Sequence, residues 1–184
     1  MVYAAVSSPN FFGNVTAPSP LLKSTDGGNS WNQVVLPVID STVGRFFARS
    51  SVALGDPGVV YLALSYTQGT LTSVDLYRST DGGATWTVNV RAGGGAGRLP
   101  MFYDAVNRYL YIGGSAVLRA SADLGSITVL KPVVVTSINA LALVSSGVVV
   151  AGDNGLDNVP LPAAGATSTS LNLQIGRASC RERV

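Results

Sequence analysis

A short motif occurs three times in this chain, twice almost unchanged. Residues 24–31 read Ser-Thr-Asp-Gly-Gly-Asn-Ser-Trp, residues 79–86 read Ser-Thr-Asp-Gly-Gly-Ala-Thr-Trp, and residues 121–128 hold a degenerate copy with Thr128 in place of Trp. Asp-Gly between two apolar runs is a strong short-range signal for a β-hairpin. The motif therefore predicts three hairpins of one kind, in a fold assembled from copies of one β-unit.

Each residue type in the motif suits a particular task in a tight turn. The Asp carboxylate can accept backbone N–H groups of the residues that follow it, and the Gly at the fifth position can adopt a positive φ. The Trp begins the return strand and can cover the sheet with its ring. The residues predicted to hold the three turns are Ser24, Asp26, Gly28, Trp31, Ser79, Asp81, Gly83, Trp86, Ser121, Asp123 and Gly125.

The motif belongs to a longer repeating unit. Ser24 and Ser79 are 55 residues apart, and Ser79 and Ser121 are 42 residues apart. Short strands rich in β-branched and aromatic residues recur at residues 2–5, 60–63, 110–113 and 149–152. The predicted unit is a strand, a turn, a second strand, a loop, a third strand, the hairpin and a fourth strand. Residues 65–75 are predicted to form an extended loop, which explains the longer first interval.

This unit divides the chain into segments and predicts an all-β fold, since no amphipathic helical pattern is found. The predicted units are about 1–38, 46–92, 98–132 and 137–158, of which the last is incomplete and has two strands. Residues 159–174 are rich in Pro, Ala, Gly, Ser and Thr, which predicts a loop or a linker. Residues 132–152 lack charge over a length that could span a membrane, but their match to two strands of the unit favours a buried hairpin.

The shared pattern S-x-D-x-G-x-x-W resembles the Asp-box, or BNR repeat, of β-propellers in the sialidase superfamily. The resemblance covers about residues 1–152. It implies a β-propeller of four-stranded antiparallel blades with Asp-box hairpins, of which about three blades are present. Closed propellers have about four to eight blades, so the chain is predicted to be an incomplete part of a ring. In this family the Asp-box is a structural hairpin that lies away from the active site.

The last ten residues differ from the rest of the chain. Residues 175–184 contain the single Cys and the single Glu, and they resemble the in-frame translation of a short sequencing adapter. We therefore treat them as non-native and exclude them from the prediction of the fold. Without them Lys plus Arg falls from 12 to 9, Asp plus Glu falls from 10 to 9, and the net charge changes from +2 to 0. The remaining sequence predicts no basic surface for nucleic acid, no membrane span, and no metal or cofactor site built from Cys or His.

The resemblance also suggests where catalytic residues would be found. Sialidases of this superfamily hold a substrate carboxylate with three Arg and use a Tyr–Glu pair as the nucleophile and an Asp as the acid/base. The segment Gly97-Arg98-Leu99-Pro100 resembles the Arg-Ile-Pro-like motif of that family, although two hairpin motifs precede it here instead of following it. Arg98 is thus a weak catalytic candidate, and Arg45 and Arg49 are further possible clamps without a supporting motif. The Tyr–Glu pair cannot be completed, because the single Glu is in residues 175–184.

A second enzyme class with this hairpin is the xyloglucanase type of glycoside hydrolase, which uses two Asp carboxylates. Asp40 is the weak candidate for such a role. Asp56 and Asp104 begin turns and are predicted to be turn formers, whereas Asp153 and Asp157 have no assigned role.

Two hypotheses about function follow from the resemblance. The first is a glycan-directed protein, a relative of sialidase-like or xyloglucanase-like glycoside hydrolases, with no complete catalytic set in this chain. The alternative is a non-catalytic protein-interaction propeller, like sortilin-type receptors or photosystem II assembly factors. Carbohydrate or protein is accordingly the expected partner, and the resemblance favours a secreted or cell-envelope location.

Overall fold

The computed structural model describes residues 1–5, 21–37, 46–68, 71–93, 98–132 and 137–161. These residues form fourteen β-strands in four antiparallel sheets, and the prediction of an all-β fold is confirmed for this part of the chain. No helix among the described residues is long and apolar enough to cross a membrane. Most of the predicted linker and all of residues 175–184 lie outside the described residues.

The strands are arranged as four meanders in chain order, and neighbours in sequence are neighbours in each sheet. The first sheet consists of β1 (Val2–Ala5), β2 (Leu21–Ser24) and β3 (Asn32–Gln33). The second consists of β4 (Phe46–Leu54), β5 (Val60–Gln68), β6 (Leu71–Ser79) and β7 (Thr87–Gly93). The third consists of β8 (Met101–Asp104), β9 (Tyr109–Gly113), β10 (Ala116–Ser121) and β11 (Ile127–Pro132), and the fourth of β12 (Ile138–Val144), β13 (Gly147–Gly152) and β14 (Gly155–Val159).

The second sheet buries both of its faces, because successive side chains of a strand point to opposite sides. Val60, Leu62 and Leu64 of β5 belong to an apolar cluster shared with the first sheet. Tyr61 and Ala63 lie between them in sequence and belong to a cluster shared with the third sheet. Each fully buried Leu contributes about 1.5–3 kcal/mol, so these two interfaces hold three sheets in a face-to-face stack.

The third sheet repeats this arrangement. Leu110 and Ile112 of β9 face the second sheet, whereas Tyr111 packs with Ile138 and Val150 of the fourth sheet. The first strands of neighbouring sheets also lie next to one another, β4 beside β8 and β8 beside β12. Antiparallel sheets that follow each other face to face, with their first strands adjacent, are arranged as successive blades of a β-propeller.

Two parts of the sheets differ from the sequence prediction. Residues 65–75 do not form an extended loop, since β5 continues to Gln68 and β6 begins at Leu71. Ser65 pairs with Val74 and Leu64 pairs with Asp75, so the backbone polar groups of this polar stretch are satisfied by a long ladder. The prediction was wrong because it relied on side-chain polarity, and Ser65 and Asp75 are each only 1% exposed despite being polar.

The fourth sheet has a third strand that was not predicted. β14 pairs with β13 through a two-residue connection, in which Gly152 is opposite Gly155. Gly155 has a φ of +130°, which favours glycine at this position. The Asp-Asn-Gly sequence of residues 153–155 is a turn signal that accounts for this connection.

Candidate functional site

The three motif segments are here called the first hairpin (residues 24–31), the second hairpin (residues 79–86) and the third hairpin (residues 121–128). The first joins β2 to β3, the second joins β6 to β7, and the third joins β10 to β11. The strand that precedes each hairpin ends at the motif serine, which is Ser24 in β2, Ser79 in β6 and Ser121 in β10. These hairpins contain most of the residues that the sequence singles out, and their geometry decides what those residues can do.

In the second hairpin the hydrogen bonds converge on Ser79 and Asp81. Asp81 Oδ1 accepts the backbone N–H of Thr85 at 2.8 Å, and its Oδ2 accepts the Thr85 hydroxyl at 2.6 Å. The Ser79 hydroxyl donates to Asp81 Oδ1 at 2.8 Å and accepts the N–H of Gly83 at 2.7 Å. Both side chains therefore stabilise the turn, and Gly83 completes it with a φ of +78°.

The first hairpin has the same set of bonds at the same motif positions. Asp26 Oδ1 accepts the backbone N–H of Ser30 at 2.9 Å, and Oδ2 accepts the Ser30 hydroxyl at 2.5 Å. Ser24 Oγ donates to Asp26 Oδ1 at 2.7 Å and accepts the N–H of Gly28 at 2.8 Å. Two turns that are 55 residues apart in sequence are thus held by the same four local hydrogen bonds.

The third hairpin keeps only part of this set. Ser121 Oγ donates to Asp123 Oδ1 at 2.5 Å, and the Asp123 Oδ1 accepts the N–H of Gly125 at 2.9 Å. Ser121 Oγ accepts from Ser126 at 3.0 Å. Leu124 replaces the fourth-position Gly and has a φ of +60°, a value uncommon for a residue with a side chain. The degenerate sequence thus corresponds to a different turn.

The aromatic position of the motif also differs between the hairpins. Trp86 donates from Nε1 to the Gly83 carbonyl at 3.2 Å and is 9% exposed within the apolar cluster between the first two sheets. Trp31 makes the corresponding bond to the Gly28 carbonyl at 3.0 Å, but its ring is 40% exposed. The ring of Trp86 therefore has a packing role that the ring of Trp31 lacks.

The hairpin carboxylates are held in their ionised form. Hydrogen bonds from the Ser30 side chain and backbone, and then from Ser24, lower the pKa of Asp26 far below its usual range. Thr85, and then Ser79, lower the pKa of Asp81 in the same way, and Ser121 and Gly125 lower the pKa of Asp123. A carboxylate that accepts several donors is poorly suited to supply a proton near neutral pH.

Tyrosine hydroxyls connect neighbouring sheets to the second and third hairpins. Tyr3 of β1 donates to the Gly82 carbonyl at 2.8 Å, and Lys23 Nζ donates to the same oxygen at 2.6 Å. Tyr61 of β5 donates to the Ala122 carbonyl at 2.6 Å. Burial raises the pKa of both tyrosines, so each hydroxyl keeps its proton and remains a donor at neutral pH.

The described carboxylates outside the hairpins are also engaged. Asp104 Oδ1 accepts the N–H of Val106 at 3.0 Å within the turn between β8 and β9. Asp56 forms an ion pair with Arg108 at 3.0 Å, and Asp153 Oδ1 accepts from Asn139 Nδ2 at 2.6 Å. Within the described ranges, no three His, Cys, Asp or Glu side chains are grouped closely enough to hold a metal ion.

Of the two weak catalytic candidates, Asp40 and Arg98, only Arg98 is among the described residues. Asp40 and the possible clamp Arg45 lie outside the described part of the chain. Arg98 is exposed and lies just before β8, and Arg49 is exposed on β4, the strand that lies beside β8.

The serine that opens each motif was predicted to hold the turn, and the structure adds the bonds through which it does so in the first and second hairpins. Ser24 is fully buried and Ser79 is 1% exposed, and each hydroxyl bonds both an Asp carboxylate and a Gly N–H. The signal was present, because Ser is identical in all three copies whereas the Trp is not.

Comparison with known proteins gives structural similarity only. No protein-family model matches the chain, and no curated protein matches it. One similar structure is titled a crystal structure of a nidogen/laminin complex, with 17% identity, a TM-score of 0.49, and coverage of 74% of this chain and 51% of that chain. Another is a GH93 α-L-arabinofuranosidase of Fusarium graminearum in complex with arabinobiose, with 17% identity, a TM-score of 0.45, and coverage of 82% and 52%. The chain thus spans about half the length of each of these structures.

Proposed function

We propose that this chain is part of an Asp-box β-propeller that is directed at glycans, and that its described residues serve binding rather than catalysis. The Asp-box assignment is supported by the sequence pattern and by the shared bond set of the first and second hairpins. On this proposal the four sheets are blades of the propeller. The activity of the complete protein, including glycoside hydrolysis, belongs to the same proposal.

The observation that carries the proposal is a pair of exposed arginines on the end of the sheets opposite the hairpins. The N–H of Gly82 in the second hairpin donates to the Gly58 carbonyl at 2.8 Å, so the turn between β4 and β5 lies at the hairpin end. Arg49 is five residues before Leu54, where β4 ends, and Arg98 is six residues before Asp104, where β8 ends. Arg49 therefore lies on β4 away from the hairpin end, and Arg98 precedes the start of the adjacent strand β8, also away from the hairpin end.

Two guanidinium groups, one on β4 and the other just before the adjacent strand β8, suit a ligand that carries a carboxylate. A guanidinium group binds a carboxylate through two parallel hydrogen bonds, which gives both strength and orientation. The resemblance to sialidases implies an arginine clamp for an acidic sugar. The hairpin carboxylates are bound within their own turns. Arg49 and Arg98 therefore supply positive charge that complements such a ligand, and the catalytic groups are assigned to other residues.

Binding of an acidic sugar tests the proposal directly. The 184-residue chain is titrated with 3′-sialyllactose and, separately, with lactose, and binding is followed by saturation-transfer NMR. We expect the acidic sugar to bind more tightly, and Arg49→Gln and Arg98→Gln each to weaken it about tenfold or more, since a hydrogen bond to a charged group is lost. Gln33→Glu serves as the control, because Gln33 is exposed on β3 and the change in net charge is the same.

Other outcomes would replace the proposal by a defined alternative. Binding of a neutral xyloglucan oligosaccharide that is insensitive to both arginine variants would exclude an acidic-sugar clamp and favour the xyloglucanase-like interpretation. Absence of binding to either sugar, in a sample whose cooperative unfolding shows that it is folded, would favour the protein-interaction propeller instead.

A further inference from the structure

The first sheet has an exposed apolar face on the side away from the second sheet. Tyr3 of β1 and Leu21 of β2 pack towards the second sheet, so the residues next to them in sequence point the other way. Those residues are Val2, Ala4 and Leu22, and Ala4 lies opposite Leu22 in the pairing of β1 with β2. Val2 is 42% exposed, and Ala4 and Leu22 are half-buried.

In the second sheet the same positions form a contact between sheets. Counted from the motif serine through the strand pairing, the corresponding residues are Val60, Leu62 and Tyr77. All three are at most 2% exposed, and all three belong to the apolar cluster that the second sheet shares with the first. The exposed face of the first sheet therefore repeats the positions by which the second sheet packs on its neighbour.

The first and second hairpins differ in the same way. Trp86 of the second hairpin is 9% exposed within that apolar cluster, whereas Trp31 of the first hairpin is 40% exposed. A Cβ built on Gly82 would lie 3.6 Å from the hydroxyl of Tyr3 in the neighbouring sheet, whereas one built on Gly27 would meet no atom within 4 Å. The first hairpin thus has room for a sheet at the place where the second hairpin is covered by one.

The fourth sheet has an apolar face at the other end of the stack. Val148 and Val150 of β13 pack towards the third sheet, so Val149 and Ala151 point away from it. The residues opposite these two on the neighbouring strands share the outward face, and they are Ala140, Ala142, Leu156 and Asn158. All of these outward residues except Asn158 are apolar, and Leu156 is 43% exposed. Exposed apolar faces of this kind mark surfaces that bind another protein surface.

We propose that two copies of this chain associate head to tail, with the fourth sheet of each copy packed on the first sheet of the other. The two faces differ in sequence and lie at opposite ends of one stack, so the contact is heterologous. Each contact inside the stack also joins one sheet to the next in this order, which makes a second copy the fitting occupant. Two such contacts close a ring of eight sheets, a number found in closed propellers. The inference uses the arrangement of the sheets as blades and does not depend on sugar binding.

The test measures the mass of the 184-residue chain by sedimentation velocity over a dilution series. We expect a dimer that dissociates on dilution, and the emission of the exposed Trp31 should shift to shorter wavelength as the dimer forms. Val2→Glu and Leu156→Glu each place a charge on one of the two faces, at side chains that are 42% and 43% exposed and so tolerate the change within one chain. Each variant alone should weaken association about tenfold or more, because it places a charge in both contacts of the ring.

Mixing the two variants distinguishes a head-to-tail contact from other kinds of association. A mixed pair has one contact with both substitutions and one contact with neither, so the mixture should form dimers that neither variant forms alone. Cooperative urea unfolding of each variant separates loss of the contact from loss of the fold.

Val106→Glu is the matched control. Val106 is 90% exposed in the turn between β8 and β9 of the third sheet, so this variant should dimerise as the parent does. The proposal is overturned if the parent is a monomer at every concentration, if either single variant dimerises as tightly as the parent, or if mixing the folded variants restores no dimer. Species that keep growing with concentration would also overturn it, because they indicate an open chain of copies instead of a closed ring.

Discussion

The hydroxyl group of Ser79 offers a direct test of how the second hairpin is held. Ser79 is 1% exposed, donates to Asp81 Oδ1 at 2.8 Å and accepts the N–H of the buried Gly83 at 2.7 Å. In Ser79→Ala this N–H has no acceptor, and its burial limits replacement by water. A buried donor left unpaired costs about 1–3 kcal/mol, so we expect the free energy of unfolding to fall by about that amount.

The measurement is urea-induced unfolding followed by tryptophan fluorescence, because Trp86 contacts the same turn through the Gly83 carbonyl. The expected loss corresponds to a fall of about 2–12 °C in the melting midpoint for a chain of this size. Thr80→Ala is the matched control, since Thr80 is the exposed neighbour of Ser79, and it should change stability by less than about 0.5 kcal/mol. If Ser79→Ala and Thr80→Ala have equal effects, the hydroxyl does not hold the turn.

Three further predictions test the acid response, the core and a close backbone contact. Folding lowers the pKa of Asp81, so the stabilisation that its carboxylate provides is complete above the unfolded pKa near 4 and is lost as the pH falls through the folded value. When the pH is lowered below about 4, the melting temperature should therefore decrease, and it should decrease less steeply in Asp81→Asn. Leu62→Ala should cost about 2–5 kcal/mol in urea unfolding, because Leu62 is fully buried between two sheets, whereas Leu143→Ala, at a side chain 40% exposed, should cost less than about 1 kcal/mol. Gly147→Ala would place a Cβ 2.3 Å from the backbone oxygen at the end of β14, and it should lower the free energy of unfolding by about 2 kcal/mol or more. At Gly155 an added Cβ meets open space, so Gly155→Ala should cost only the backbone strain, about 1 kcal/mol.

The hairpin positions could be predicted from the sequence because their bonds are local. In the first and second hairpins the Ser and Asp side chains bond groups within four residues of themselves, for example Ser30 to Asp26 and Gly83 to Ser79. A contact of this range is encoded in one short segment, so a repeated segment repeats the contact. The same reasoning explains why the third hairpin, with Leu124 at a Gly position, has a different set of bonds.

The other features depend on residues that are distant in sequence. A cleft at the hairpin end, between the second and third sheets, is lined by Arg78 of β6, by Arg108 and by Asp123, and no spacing in the sequence indicates that these three residues line one cavity. The buried Ser65 and Asp75 were misjudged for a related reason, since only the pairing of β5 with β6 shows that this polar stretch is a ladder. The local motifs could be predicted from the sequence, whereas the cleft depends on how two sheets face each other.

The hairpins also join the sheets, which explains why their geometry matters beyond a single turn. Tyr3 of the first sheet bonds the second hairpin, and Tyr61 of the second sheet bonds the third hairpin, each through a backbone carbonyl. A hydrogen bond to a carbonyl requires that the turn hold one orientation, and the Ser and Asp side chains provide this by binding the turn from within. The hairpin end of the stack is thereby fixed by side chains whose polar groups are already engaged. Under the proposed function, ligand recognition therefore falls to side chains outside these turns, namely the exposed arginines Arg49 and Arg98 at the opposite end.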